Sequence, residues 1–104
     1  MGLSVEEAEL LLTNDLARCR NSLEIYGWFA ALDLVRQDAI VELCFNMGLP
    51  RLFTFKKMIA ALTDQDYTQA RIELLDSRWA KQVQRERSHD LSFRIQFGRY
   101  QDES

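Results

Sequence analysis

Residues 33–48, DLVRQDAIVELCFNMG, constrain this chain more than any other stretch. Leu34, Val35, Ala39, Ile40, Leu43, Cys44 and Met47 recur at three- and four-residue steps, the spacing of one broad helical face. Asp33 is suited to cap the first turn, because its carboxylate can accept from free backbone N–H groups. Gly48 follows the last apolar position, where a positive φ ends a helix without a Cβ penalty. So wide an apolar face predicts a helix buried among other helices. One proline and four glycines in 104 residues leave little punctuation, which favours long helices over a many-turned β fold.

The flanking segments read the same way. Ser4 and Glu7 form a capping box, and Val5, Ala8, Leu12, Leu16, Cys19 and Leu23 step by three or four, predicting a long amphipathic helix. Glu24 to Leu32 reads as a turn and a short helix presenting Tyr26, Trp28 and Phe29 to the core. Pro50 suits the first turn after a kinked link. Thr54 is expected to cap a helix through Leu62 that buries Phe55, Met58, Ile59 and Leu62. Residues 63–66 read as a connection ahead of a helix from Tyr67 to about Asp76. Ser77 caps a short turn carrying Trp79, and a last helix runs from about Arg85 to Phe97 and stops at Gly98. The expectation is a single all-α domain over residues 1–104, a bundle of six or seven helices.

The formal charge of −3 conceals an asymmetry. Residues 1–50 hold three arginines against eight acids; residues 78–99 hold six basic side chains against Glu86 and Asp90. That basic band reads first as a solvated face and second as a surface for an anionic partner. Nucleic acid is disfavoured by the acidity of the whole chain and by the weak stacking pattern of Trp79 and Tyr100 beside Arg78 and Arg99. Cys19 and Cys44 fall on apolar faces at neither metal nor redox spacing, so buried reduced thiols are expected. No apolar run approaches the roughly 18 residues of a membrane span, and no signal-peptide order opens the chain. Cytoplasmic synthesis and no membrane follow. His89, the only histidine, has no partner at metal-ligand spacing. No cofactor or metal is expected.

Four segments together resemble a known family. Leu3–Asp15 (LSVEEAELLLTND), Phe45-Asn46-Met47-Gly48, Ser77-Arg78-Trp79-Ala80-Lys81-Gln82-Val83, and Phe93-Arg94 with Phe97-Gly98-Arg99-Tyr100 look like the C-terminal helical lobe of phage-type lysozymes, the family 24 glycoside hydrolases. The resemblance runs from about residue 3 to residue 100. It implies a lysozyme-like bundle, a phage or prophage origin, and an activity against the bond between N-acetylmuramic acid and N-acetylglucosamine in the parent enzyme. It also implies that the catalytic glutamate belongs to an N-terminal lobe, followed by Asp or Cys nine positions on and Thr six beyond. Glu6 with Asp15, and Glu24 with Asp33, have the first spacing, but Asn21 and Ala39 stand where Thr is wanted. Glu6 and Asp15 also share one predicted helix, roughly 13 Å apart along its axis. No catalytic residue is therefore assigned in this chain.

By the same resemblance Phe45 and Asn46 border the glycan groove, and Gln82 and Val83 lie near the peptide stem. Arg78 (paired to a carboxylate), Trp79, Gly48 and Gly98 are structural. The partner implied is peptidoglycan. The alternative is a stand-alone lobe, either a peptidoglycan-binding module or an interaction module whose exposed cleft face meets a protein partner or a second copy of itself.

Overall fold

A computed structural model describes residues 15–101, whose regular structure is all helix, without strands. The Ser4–Glu7 capping box, the apolar steps at Val5, Ala8 and Leu12, and Glu6 lie outside the described residues. Eight helical segments follow one another: α1 (described over 15–23), α2 (Gly27–Ala30), α3 (Leu34–Met47), α4 (Leu49–Leu52), α5 (Lys56–Thr63), α6 (Tyr67–Leu75), α7 (Arg78–Gln82) and α8 (Arg85–Phe97). The count exceeds the six or seven expected because the link after Gly48 closes a full turn of its own, with Pro50 in it.

α3 runs through the middle. The Asp33 carboxylate accepts from the Arg36 backbone N–H at 3.2 Å, and Gly48 ends the helix at φ 89°. Ala39, Ile40, Leu43 and Cys44 are buried as the spacing predicts. Leu34 is not: it is 66% exposed. Six residues before Ile40, it is turned about 120° away from the axis of the buried face. Val41, outside the spacing argument, is buried because α8 packs along that flank of α3.

α5 and α6 pair, α6 packs on α8, and α8 on α3. Leu23, Phe29, Ile40, Leu43, Leu52, Met58, Leu74 and Ile95 fill the space between them with no exposed surface. Asp66 caps α6 by accepting from the Gln69 N–H at 3.1 Å, and Ser77 caps α7 by accepting from the Ala80 N–H at 3.2 Å. Thr54 does not cap α5. Its hydroxyl donates back to the Arg51 carbonyl at 2.6 Å, and α5 begins after Phe55 with no side-chain cap. A hydroxyl that close to the end of α4 is claimed by the earlier carbonyl.

One side chain joins three of these elements. The Arg36 guanidinium donates to the carbonyls of Ile95 and Gln96, each at 2.7 Å, and to the Asp33 carboxylate at 2.8 Å. Its flat face lies over the Tyr67 ring, 3.5 Å from the centroid. The end of α8 is thus satisfied by a residue 59 positions earlier. Gly98 closes α8 in the left-handed region at φ 68°, and a Cβ there would stand 2.8 Å from an Arg36 guanidinium nitrogen.

Cys19 and Cys44 are free thiols, the first half-buried and the second buried. Burial, together with the hydrogen bond and charge of neighbouring Cys19, pushes the Cys44 thiol from its ordinary 9.0 up to about 12.

Two outcomes follow from this packing. Gly98→Ala combines left-handed strain with displacement of the Arg36 guanidinium, and urea denaturation should show a loss of about 2 kcal/mol. The second concerns pH. The unfolded chain releases the Cys44 proton near 9, while the folded chain holds it to about 12. Stability from this group is therefore complete below about pH 9 and declines as the pH rises towards 12. Urea melts at about pH 8 and pH 10.5 should show a smaller alkaline loss for Cys44→Ala than for the wild type.

Candidate functional site

A polar groove opens among the described residues where α1, the second half of α3 and α8 meet. Leu16 supplies one wall, Phe45 and Asn46 a second, and Asp90, Leu91 and Arg94 the third. The groove encloses about 480 Å³. A neighbouring cavity of about 530 Å³ shares Leu16, Glu42, Asp90 and Arg94 with it.

Arg94 forms the floor between them. Its side chain is only 4% exposed, and one guanidinium nitrogen donates both to Glu42 and to Asp90, the latter at 3.1 Å. The Tyr100 ring centroid lies 5.0 Å from the guanidinium carbon. Burial by itself would lower the Arg94 pKa. The hydrogen bond that Arg94 donates to Glu42 and the charges of Glu42, Asp90 and Tyr100 outweigh it and raise the pKa. Arg94 is a permanent cation, and its Nε is buried without a hydrogen-bond partner among the described residues. Glu42 and Asp90 remain about half exposed, so they face the groove as acceptors while anchored from beneath.

Phe45 stands at the mouth, 42% exposed. It lies on the α3 face opposite Ile40, so the helix that builds the core also presents an aromatic ring to solvent. Asn46 beside it is oriented rather than loose. Its Oδ1 accepts from Nε1 of Trp79 at 3.4 Å, and Trp79 is itself 2% exposed. This contact explains a buried indole in a helix of five residues: its N–H is served by the groove wall.

The structure thus brings together Phe45, Asn46 and Trp79. Gln82 and Val83 do not line the groove. Gln82 is exposed at the end of α7, 3.4 Å from an Arg51 nitrogen, and half-buried Val83 ends that helix. Gln84, one residue on, is the member of this link that reaches the lining. Arg78 is an exposed first-turn residue of α7, and no ion pair of it is seen among the described residues. The buried arginine held by carboxylates is Arg94 instead. Gly48 and Gly98 both take positive φ at helix ends.

Glu42, Glu86, Asp90 and Arg94 were not singled out from the sequence as groove residues. A signal was there for two of them. Glu42 stands between the buried Val41 and Leu43, and Arg94 between half-buried Phe93 and buried Ile95. Asp33, one member of a Glu–Asp spacing, is committed to capping α3 and pairing with Arg36. Its sequence counterpart Glu24 is exposed beyond α1. His89 is exposed on α8. Among the described residues no cluster of His, Cys, Asp and Glu could hold a metal ion, and no helix is long and apolar enough to cross a membrane.

A groove with an exposed aromatic, an oriented amide and anchored carboxylates is suited to a polar, hydroxyl- and amide-rich ligand. The family model for phage lysozyme matches residues 1–94. The chain belongs to the phage lysozyme family. Two similar proteins come from Dictyostelium discoideum. Probable T4-type lysozyme 1 is 27% identical over 85 residues, covering 78% of this chain and 50% of that protein. Probable T4-type lysozyme 2 is 28% identical over 94 residues, covering 86% and 55%. This lysozyme-family chain therefore spans about half the length of the curated relatives it matches.

The floor of the groove is open to a direct test. Glu42→Gln with Asp90→Asn leaves the buried Arg94 cation without a counter-charge. Because both carboxylates are half exposed, solvent screens part of the loss, and the double variant should unfold with about 2 kcal/mol less stability. Thermal and urea melts of the two single variants and the double give the coupling between the sites.

Proposed function

We propose that this chain is the helical, C-terminal lobe of a peptidoglycan muramidase and supplies one wall of its glycan cleft. The observation that carries the reading is Phe45 standing exposed beside an Asn46 amide held by Trp79. Apolar sugar faces stack on such rings, and fixed amides bond acetamido and hydroxyl groups. Membership of the lysozyme family supports the substrate class, the bond between N-acetylmuramic acid and N-acetylglucosamine. Cleavage of that bond calls for two carboxyl groups flanking it, one of them a proton donor. Asp33 is engaged in a helix cap, and the spacing that pairs it with Glu24 ends on Ala39 where the family pattern has Thr. We assign the donor to sequence outside these 104 residues, so this chain alone binds glycan without hydrolysing it.

A second reading, an interaction module, rests on the outer face of α6 and α8, where Ile72 is 52% and Phe97 46% exposed. Exposed apolar side chains of that size suit contact with a protein partner or a second copy.

A sacculus suspension separates the readings. The expected result is no loss of turbidity, retention of the chain on pelleted peptidoglycan, and roughly threefold or greater weakening of retention in Phe45→Ala. Clearing of the suspension would sink the inactivity claim and make Glu6→Gln and Glu24→Gln the next variants. Absence of both clearing and retention would turn the assignment to the interaction module, which light scattering of the purified chain then examines.

A further inference from the structure

Cys19 on α1 and Cys44 on α3 are neighbours across the interface of those helices, and both line one surface pocket of about 340 Å³ with Arg18 and Phe45 at its rim. Cys19 is half-buried and reachable from this pocket, whereas Cys44 is 3% exposed and packs with the core. The two are 25 positions apart in sequence and joined through α2, so the sequence spacing carries no redox signature. We propose that Cys19 is a site of thiolation by low-molecular-weight disulfides of the glutathione type, and that Cys44 resolves the adduct into a Cys19–Cys44 disulfide linking α1 to α3.

The chemistry balances with one equivalent of such a disulfide. The Cys19 sulfur, as thiolate, attacks one sulfur of the incoming disulfide and releases one small thiol, leaving a mixed disulfide on Cys19. Cys44 then passes its proton to the small thiolate as that group departs. The Cys44 sulfur attacks the Cys19 sulfur, and the second small thiol departs. Two protein thiols lose two electrons in total, and one small disulfide becomes two thiols. The order is set by access and protonation together. Cys44 is out of reach of a bulky oxidant and holds its proton up to about 12, so it acts second and only from within the protein. Leu16 on α1 and Glu42 and Phe45 on α3 line the polar groove, so the new bond also fixes the spacing of two groove walls.

Intact mass under non-reducing conditions tests this on the whole chain. Folded protein is incubated with glutathione disulfide at mildly alkaline pH and quenched in acid. The expected course is a transient glutathione adduct followed by a species about 2 Da lighter than the starting protein, monomeric on a non-reducing gel and with a raised melting temperature. Cys44→Ala should stop at the adduct, and Cys19→Ser should stay unmodified while circular dichroism shows it folded. A persistent adduct on the wild type, a disulfide-linked dimer, or equal modification of Cys19→Ser would each overturn the proposal. So would closure that occurs only in urea, because the pairing would then belong to the unfolded chain.

Discussion

The guanidinium of Arg36 is the contact on which the arrangement of the bundle depends. Three helices converge on it: α3 through its own cap at Asp33, α8 through two terminal carbonyls, and α6 through the face of Tyr67. Each partner uses a different property of the group, namely its charge, its fan of N–H donors and its flat face. A lysine offers only the first of these in comparable form. The carbonyls of Ile95 and Gln96 would otherwise need water at a place where the core is closing. The bundle is therefore tied at one end by a polar device and filled along its length by aliphatic side chains.

A second arginine, Arg94, does a related task one residue before the carbonyls that Arg36 holds. It is buried, yet its charge is balanced by two carboxylates that remain wet. Such an arrangement contributes little net stability compared with an apolar side chain of the same volume. What it provides is a fixed polar floor beneath an apolar rim.

Most of the architecture was legible before any coordinates, for a physical reason. Helices with a buried face repeat their apolar residues at a fixed step, and Asp33, Asp66, Ser77 and Gly98 mark boundaries by backbone chemistry that is local in sequence. The departures are where a local rule met a non-local competitor. Thr54 had an earlier carbonyl within reach and left α5 uncapped. Leu34 matched the helical step but pointed past the neighbours that would have covered it. Of the groove, Phe45 and Asn46 were legible through the family resemblance. Gln84, Asp90 and Arg94 were not, because which turn of α8 faces α3 is decided by the angle between the helices, and no residue spacing encodes that angle. The nearness of Cys19 to Cys44 was invisible for the same reason.

Arg94 is followed immediately by Ile95 and Gln96, whose carbonyls Arg36 grips. The turn of α8 that floors the groove is therefore the turn held in the clamp. Any motion that widened the groove by swinging α8 would first have to pull two carbonyls off a guanidinium and slide it from an aromatic face. The groove wall is therefore held in place by the fold itself. A residue outside the groove's lining thus sets how stiffly that wall is held.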